Sequence, residues 1–258
     1  MNKTDRRSRA KRQAATELSA RAAKRRDSGP TPNIRNGGPA FTLVSNKDAT
    51  GKNSDENVLY RAARKASNEQ QGPRAVGIFR ELLLLNPSNV KARLNLALLL
   101  FQDGDQDGAL IELERAHSID PEDSSVLIHR GAIRGVAGRF ADAENDLRSV
   151  LRAEPSNPDA HFELGLLMSR RGLWRDAIPF LRRAIELDSS RPSAYYYLGE
   201  ALNHVDDLGG ALLCFQRAVE LRPNSPKTLY GMGIVLDRLS RPDEAGQMYR
   251  RSRELTHQ

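Results

Sequence analysis

Leu82–Phe101 reads "LLLLNPSNVKARLNLALLLF", and thirteen of its twenty residues are apolar. The stretch is as long as a membrane span, but its interior forbids one. Asn86, Pro87, Ser88 and Asn89 break it near the middle, and Lys91 and Arg93 follow. A helix in lipid would bury two cations and interrupt its hydrogen bonds at a proline. The two halves read instead as amphipathic helix segments joined at a proline turn. Leu82–Leu85 is expected to be buried between helices. A joint of this kind in a repeating chain should recur.

It does. Pro87, Pro121, Pro155 and Pro223 stand 34, 34 and 68 residues apart, with Ser189 at the missing step. Ten residues beyond each joint lies a small residue: Ala97, Gly131, Gly165, Gly199 and Gly233. Ala109, Ala143, Ala177, Ala211 and Ala245 form the next column. Four residues on, the column is bulky: Leu113, Leu147, Leu181, Phe215 and Tyr249. Three further it is small or β-branched: Ala116, Val150, Ala184, Ala218 and Ser252. Columns in phase over five units define an internal repeat of 34 residues.

Within each unit the apolar spacing is that of two helices, as in Leu94, Ala97, Leu98 and Phe101, then Leu110, Leu113 and Ile119. Gly104, Gly138 and Gly172 mark the turn between the arms, and the proline ends the second arm. One pair of arms cannot bury its apolar face alone, so the units must stack.

These columns resemble the tetratricopeptide repeat. The resemblance implies an all-α fold, a right-handed superhelical α-solenoid of helix–turn–helix units. The units are framed as 90–123, 124–157, 158–191, 192–225 and 226–258, with a degenerate unit at 56–89 carrying Ala75, Phe79 and Pro87 in the expected columns. Arg130 and Arg134 stand where leucine-like residues are usual, so tight packing is least assured in the second full unit. Arrays of this family often end in a capping helix; here none is expected, and Arg250, Arg251, Arg253 and Glu254 give the last arm a polar outer face.

The formal net charge of +7 is unevenly placed. Residues 1–35 hold eleven Lys and Arg against three acids, and the remainder is close to neutral. Residues 1–55 contain few large apolar side chains and are expected to form a disordered basic tail and linker ahead of the array at 56–258. Thr4–Arg26 has the composition of a transient helix. Arg6, Arg7, Arg9, Lys11, Arg12, Lys24, Arg25 and Arg26 could neutralise phosphates. Residues 1–40 contain no aromatic ring but Phe41 follows, so any nucleic-acid contact through the tail is expected to be weak and nonspecific. Anionic lipid is a weaker option, because no bulky apolar face opposes the charges.

Catalytic chemistry finds little footing. No phosphate-cradling glycine loop and no zinc motif occurs, and the five histidines fall on different units without ligand spacing. No cofactor, metal or small-molecule substrate is expected, and the chain is not read as an enzyme. The lone Cys214 is expected to be buried and inert. With a mean hydropathy of −0.59, one cysteine and no apolar leader after the basic start, the expected setting is cytoplasmic.

What remains is surface. In the resembled family the first arms line a concave groove that holds segments of other proteins. That resemblance carries the groove columns onto Lys91, Leu94, Leu98, Phe101, Ile128, Phe162, Arg170, Tyr196, Glu200, Asn203, His204 and Tyr230, and in the last unit also Lys227. The N-terminal half of this set is apolar and the C-terminal half polar and aromatic. In Tyr195–Tyr197 at least one ring should be accessible. The clamp by which some members grip a C-terminal carboxylate needs a lysine in the column that here reads Leu94, Ile128, Phe162, Tyr196 and Tyr230, so that mode is not expected. The pilus-assembly subtype needs a lipid-bearing cysteine near its start, and none is seen there. The expected function is a scaffold or adaptor that binds a protein or peptide segment.

Overall fold

The computed structural model describes residues 54–256, all of it helix and short connection. The tail positions from Arg6 to Arg26 lie outside the described residues. Twelve helices follow one another among the described residues: α1 (Ser54–Asn68), α2 (Gly72–Leu85), α3 (Val90–Gln102), α4 (Gln106–Ile119), α5 (Ser124–Val136), α6 (Phe140–Ala153), α7 (Pro158–Arg170), α8 (Trp174–Leu187), α9 (Pro192–His204), α10 (Leu208–Leu221), α11 (Pro226–Arg238) and α12 (Pro242–Thr256). Odd-numbered helices are first arms and even-numbered ones second arms. Each arm packs most closely on its neighbours in sequence, and first arms also touch the first arm of the next unit. The result is an α-solenoid.

The columns of small and bulky residues now have a cause. A Cβ added at Gly131 would come within 2.9 Å of Leu147, at Gly165 within 2.6 Å of Leu181, at Gly199 within 3.1 Å of Phe215, and at Gly233 within 2.5 Å of Tyr249. The bulky residue of each second arm occupies the space that its own first arm leaves by lacking a side chain. Its close approach buries Ala143, Ala177, Ala211 and Ala245 in the same seam. First arms start at defined caps: Asn89, Asp123, Asn157 and Ser225 each accept a hydrogen bond from the backbone N–H three residues on. At the equivalent place in α9 stands Arg191, which makes no such bond.

The turn between arms takes a left-handed residue at one column in every unit. Gly104, Gly138 and Gly172 have φ of +93°, +76° and +73°, and Gln70, Asp206 and Ser240 occupy the same place at 58°, 67° and 59°. A side chain costs free energy there that glycine does not. Ser240→Gly is therefore expected to raise stability by about 0.5–1 kcal/mol, and Gly138→Ala to lower it by about 1 kcal/mol, read from thermal or urea unfolding.

One expectation is corrected. Leu82 is fully buried, but Leu84 is 83% and Leu85 56% exposed. Four consecutive residues sweep a whole turn of helix, so only one of them can face the seam. In the second full unit Arg130 and Arg134 are accommodated by one acid of the second arm. Arg130 is buried and donates to Asp146 through Nε (3.0 Å) and Nη2 (2.7 Å), and Arg134 Nη1 donates to the same carboxylate at 2.7 Å. In the other full units Asp146's column holds Glu112, Phe180, Cys214 and Met248. In the two full units with an acid in this column the contact is ionic, Glu112 with Arg93 and Asp146 with Arg130 and Arg134, and in the three later units the column is apolar. Cys214 is half-buried, with its thiol pushed up to about 11 by burial. No helix among the described residues is long and apolar enough to cross a membrane.

Candidate partner-binding groove

The first arms α7, α9 and α11 bring together side chains spaced by one or two repeats. Tyr196 and Tyr197, adjacent on α9, lie ring edge to ring face at 5.0 Å. Phe162, one repeat earlier on α7, meets Tyr197 at 6.0 Å in the same edge-on manner. Lys227 in the first turn of α11 holds its Nζ over both tyrosines, 4.3 Å from the Tyr196 ring centre and 4.8 Å from that of Tyr197. Tyr196 is buried and Tyr195 and Tyr197 are partly exposed, as a run of three on one helix requires. The Tyr196 hydroxyl donates to Glu200 one turn later. Burial raises the Glu200 carboxyl above its ordinary range, against the pull of Lys227 and of this hydrogen bond. Burial likewise pushes Tyr197 up to about 12, and it lowers Lys227 below the usual ammonium range.

Glu163 lies beneath this cluster on α7. It is 5% exposed, and its Oε2 has no hydrogen-bond partner. Its column holds Asn95, which donates to the Tyr60 hydroxyl of α1 at 2.6 Å, and His129, whose Nδ1 sits 2.6 Å from the Ser125 carbonyl. One repeat before Phe162, the residue in the column of Tyr60 is Ile128, which has no donor to offer. Burial pushes the Glu163 carboxyl up to about 7, with Arg170 and Arg191 only partly offsetting it. A folded-state value above the ordinary 4.5 means that the penalty is absent in acid, grows through pH 4.5–7 and is complete above 7. Glu163→Gln is expected to stabilise the protein by about 2–3 kcal/mol at pH 8 and by almost nothing at pH 4, measured as urea midpoints across that range.

The family of the chain follows from its sequence columns. The profile described as "Tetratricopeptide repeat" matches residues 60–124, 133–192 and 167–226, which together make up more than half of the chain. The chain belongs to the tetratricopeptide repeat family. Proteins of this family mediate protein–protein interaction. No curated protein matches the chain in sequence. Solved structures with the same fold include MamA from Desulfovibrio magneticus RS-1, at 22% identity over 65% of this chain and 95% of that one, with a TM-score of 0.56. YrrB, described as a tetratricopeptide protein with an unusual peptide-binding site, is 22% identical over 69% of this chain and 91% of its own, at 0.51. The pilF protein of Pseudomonas aeruginosa is 16% identical over 75% and 88%, at 0.66.

Within this tetratricopeptide array the remaining candidates sit as follows. Leu94, Leu98, Phe101, Ile128 and Phe162 are buried, so a substitution at any of them would perturb packing as well as any contact with a partner. Lys91 lies half-buried in the first turn of α3. Asn203 at the end of α9 accepts from Arg238 of α11, which also pairs with Asp206. His204 stacks face to face on Trp174, with centroids 3.8 Å apart and planes 3° apart. Burial, with Arg238 nearby, lowers the His204 imidazole below its ordinary range. Tyr230 on α11 is 56% exposed and leans on Tyr249 at 5.4 Å. Arg170 ends α7 half-buried and makes no ion pair with a described residue.

Three participants escaped the sequence reading: Glu163, Trp174 and Arg191. Arg191 sets its guanidinium 5.1 Å above the Phe162 ring and pairs with Asp159 and Asp188. A lone acid inside the apolar run "HFELGLLM" was a usable signal for Glu163. Trp174 and Arg191 gave none, because the rings they meet, His204 and Phe162, lie about a repeat away.

Proposed function

We propose that this chain is a non-catalytic scaffold or adaptor whose array holds an extended segment of a partner protein along its first arms, in a cytoplasmic setting. The observation that carries the reading is the gathering of Phe162, Tyr196, Tyr197 and Lys227 from three successive units onto one face. Aromatic rings with a cation among them make adaptable, well-anchored contact surfaces. YrrB, which shares the fold, is described as having a peptide-binding site. Its likeness supports the reading by analogy of fold alone.

A photo-crosslinking amino acid at Tyr230 is expected to capture a partner from the cell. The same group at Leu213, 68% exposed on second arm α10, is expected to capture little. Equal capture at both positions, or none at Tyr230, would sink the groove assignment.

A further inference from the structure

Tyr196 and Tyr197 form a corner that already holds a cation. Their rings stand at 81° to each other, with centres 5.0 Å apart. The Lys227 ammonium lies over both, 4.3 Å and 4.8 Å from the two ring centres. Two aromatic faces near a right angle are two walls of a cage for an ammonium ion. Glu200, one turn after Tyr196 on α9, accepts from the Tyr196 hydroxyl and adds a carboxylate to the same place.

The resident cation is held loosely. Lys227 makes no hydrogen bond or ion pair with a described residue. Glu200 draws on it through space without pairing with it. Lys227 stands in the first turn of α11, where the helix dipole opposes a cation. The residue is exposed, so its stem is free to swing out into solvent. The neighbouring ring is covered differently. Arg191 lies 5.1 Å above Phe162 and is tied down by Asp159 and Asp188. Of the two cations set over these rings, only Lys227 lacks such ties among the described residues.

We propose that the Tyr196–Tyr197 corner is a seat for a lysine ammonium of an extended partner segment, and that Lys227 fills it until the partner's lysine displaces it. The inference rests on the groove reading above and specifies the chemistry of its occupant. Charge complementarity selects a cation, because two ring faces and a carboxylate offer nothing to an anion. The right-angled walls select among cations. A compact ammonium touches both rings at once, whereas a planar guanidinium stacks on one. A lysine on an extended segment meets no opposing helix dipole, so it holds the seat better than Lys227 does. The rival occupant is an acidic segment that leaves Lys227 in place and pairs with it. The two occupants give opposite signs when Lys227 is removed.

The test uses the full-length protein and its Lys227→Ser variant. Serine is what the same column carries at Ser125 and Ser193, so the helix start is kept. Random twelve-residue peptides are displayed and selected on both proteins, and a selected peptide is synthesised with acetylated and amidated ends for titration. Selected sequences are expected to share a lysine. Replacing that lysine by norleucine should weaken binding about tenfold, and so should Tyr197→Leu. Tyr197→Phe, which keeps the ring, should restore binding. Lys227→Ser should bind the peptide several-fold more tightly than the parent, with circular dichroism unchanged. In the parent, the ring-current shift of the Lys227 side-chain protons should vanish in NMR spectra as the peptide binds. Selected sequences that are acidic, or that carry arginine in the lysine's place, would overturn the proposal. So would weaker binding to Lys227→Ser, or a Lys227 that keeps its ring-current shift in the complex. Self-association of the free chain that Lys227→Ser strengthens would give the seat to a second copy and overturn it as well. If the peptides of an overturning selection still crosslink at Tyr230, the groove reading survives. A selection that yields no groove-dependent binder on either protein removes both.

Discussion

Asp146→Ala is expected to cost about 3–5 kcal/mol, enough to unfold much of a marginal array. Asp146 joins α6 to α5 by accepting from both Arg130 and Arg134, and its side chain and that of Arg130 are each 7% exposed. Alanine removes the anion and leaves the Arg130 guanidinium buried without a counter-charge. Arg134 keeps only a longer contact to Glu114 at 3.5 Å. The penalty is that of the stranded charge more than of the bond lost. A second variant separates the two. Arg130→Leu, Arg134→Met and Asp146→Phe together install the residues that α7 and α8 carry in the same columns, Leu164, Met168 and Phe180. This triple change is expected to be neutral or stabilising. Urea unfolding of both proteins is the measurement; an Asp146→Ala loss under about 1 kcal/mol would contradict the assignment.

Phe215→Ala is expected to cost about 4 kcal/mol, near the middle of the range for removing a buried ring. The ring is 1% exposed, and it lies 3.1 Å from where a Cβ would stand on Gly199 and on Gly231. Glycines on two sides have no side chains with which to refill the space, so the cavity stays open. Leucine occupies this column in the three preceding units, so Phe215→Leu should recover most of the loss. The effect should reach the groove as well. Tyr196 rests on Phe215 at 5.7 Å and carries Lys227 over its ring. A folded Phe215→Leu protein in which the Tyr197 face is unaltered would show that the second arm does not position this cluster.

The fold was legible because its information is periodic. Gly165 and Leu181 mean little alone, but their recurrence as Gly131 with Leu147 and Gly199 with Phe215 declares two arms in contact. The turn column was half legible: glycine announces the left-handed residue at 104, 138 and 172, whereas Asp206 and Ser240 adopt it under the same tertiary demand without announcing it. Leu84 and Leu85 misled because apolar composition says nothing of direction around a helix. The candidate site was legible only as columns. Tyr196, Glu200 and Lys227 could be placed on first arms, yet the want of a donor at Glu163 depends on Ile128 and on burial. Such an absence is a property of the assembled units and leaves no mark in a local stretch of sequence.

The buried Arg130–Asp146–Arg134 contact also bears on how the array melts. In a solenoid each unit couples only to its neighbours, so cooperativity is a product of local links, and the weakest link sets where it divides. The continuous apolar core runs from Leu127 on α5 to Ala245 on α12. Ahead of it, α3 and α4 bury Leu94, Leu98 and Leu113 and add an ionic contact of their own, Arg93 with Glu112. A buried ionic link is little screened by salt but fails when either partner is lost, while apolar links answer to temperature and chaotropes. The protein thus joins its arms by two kinds of contact, and the pairing of α5 with α6 is the one that hangs on a single shared carboxylate.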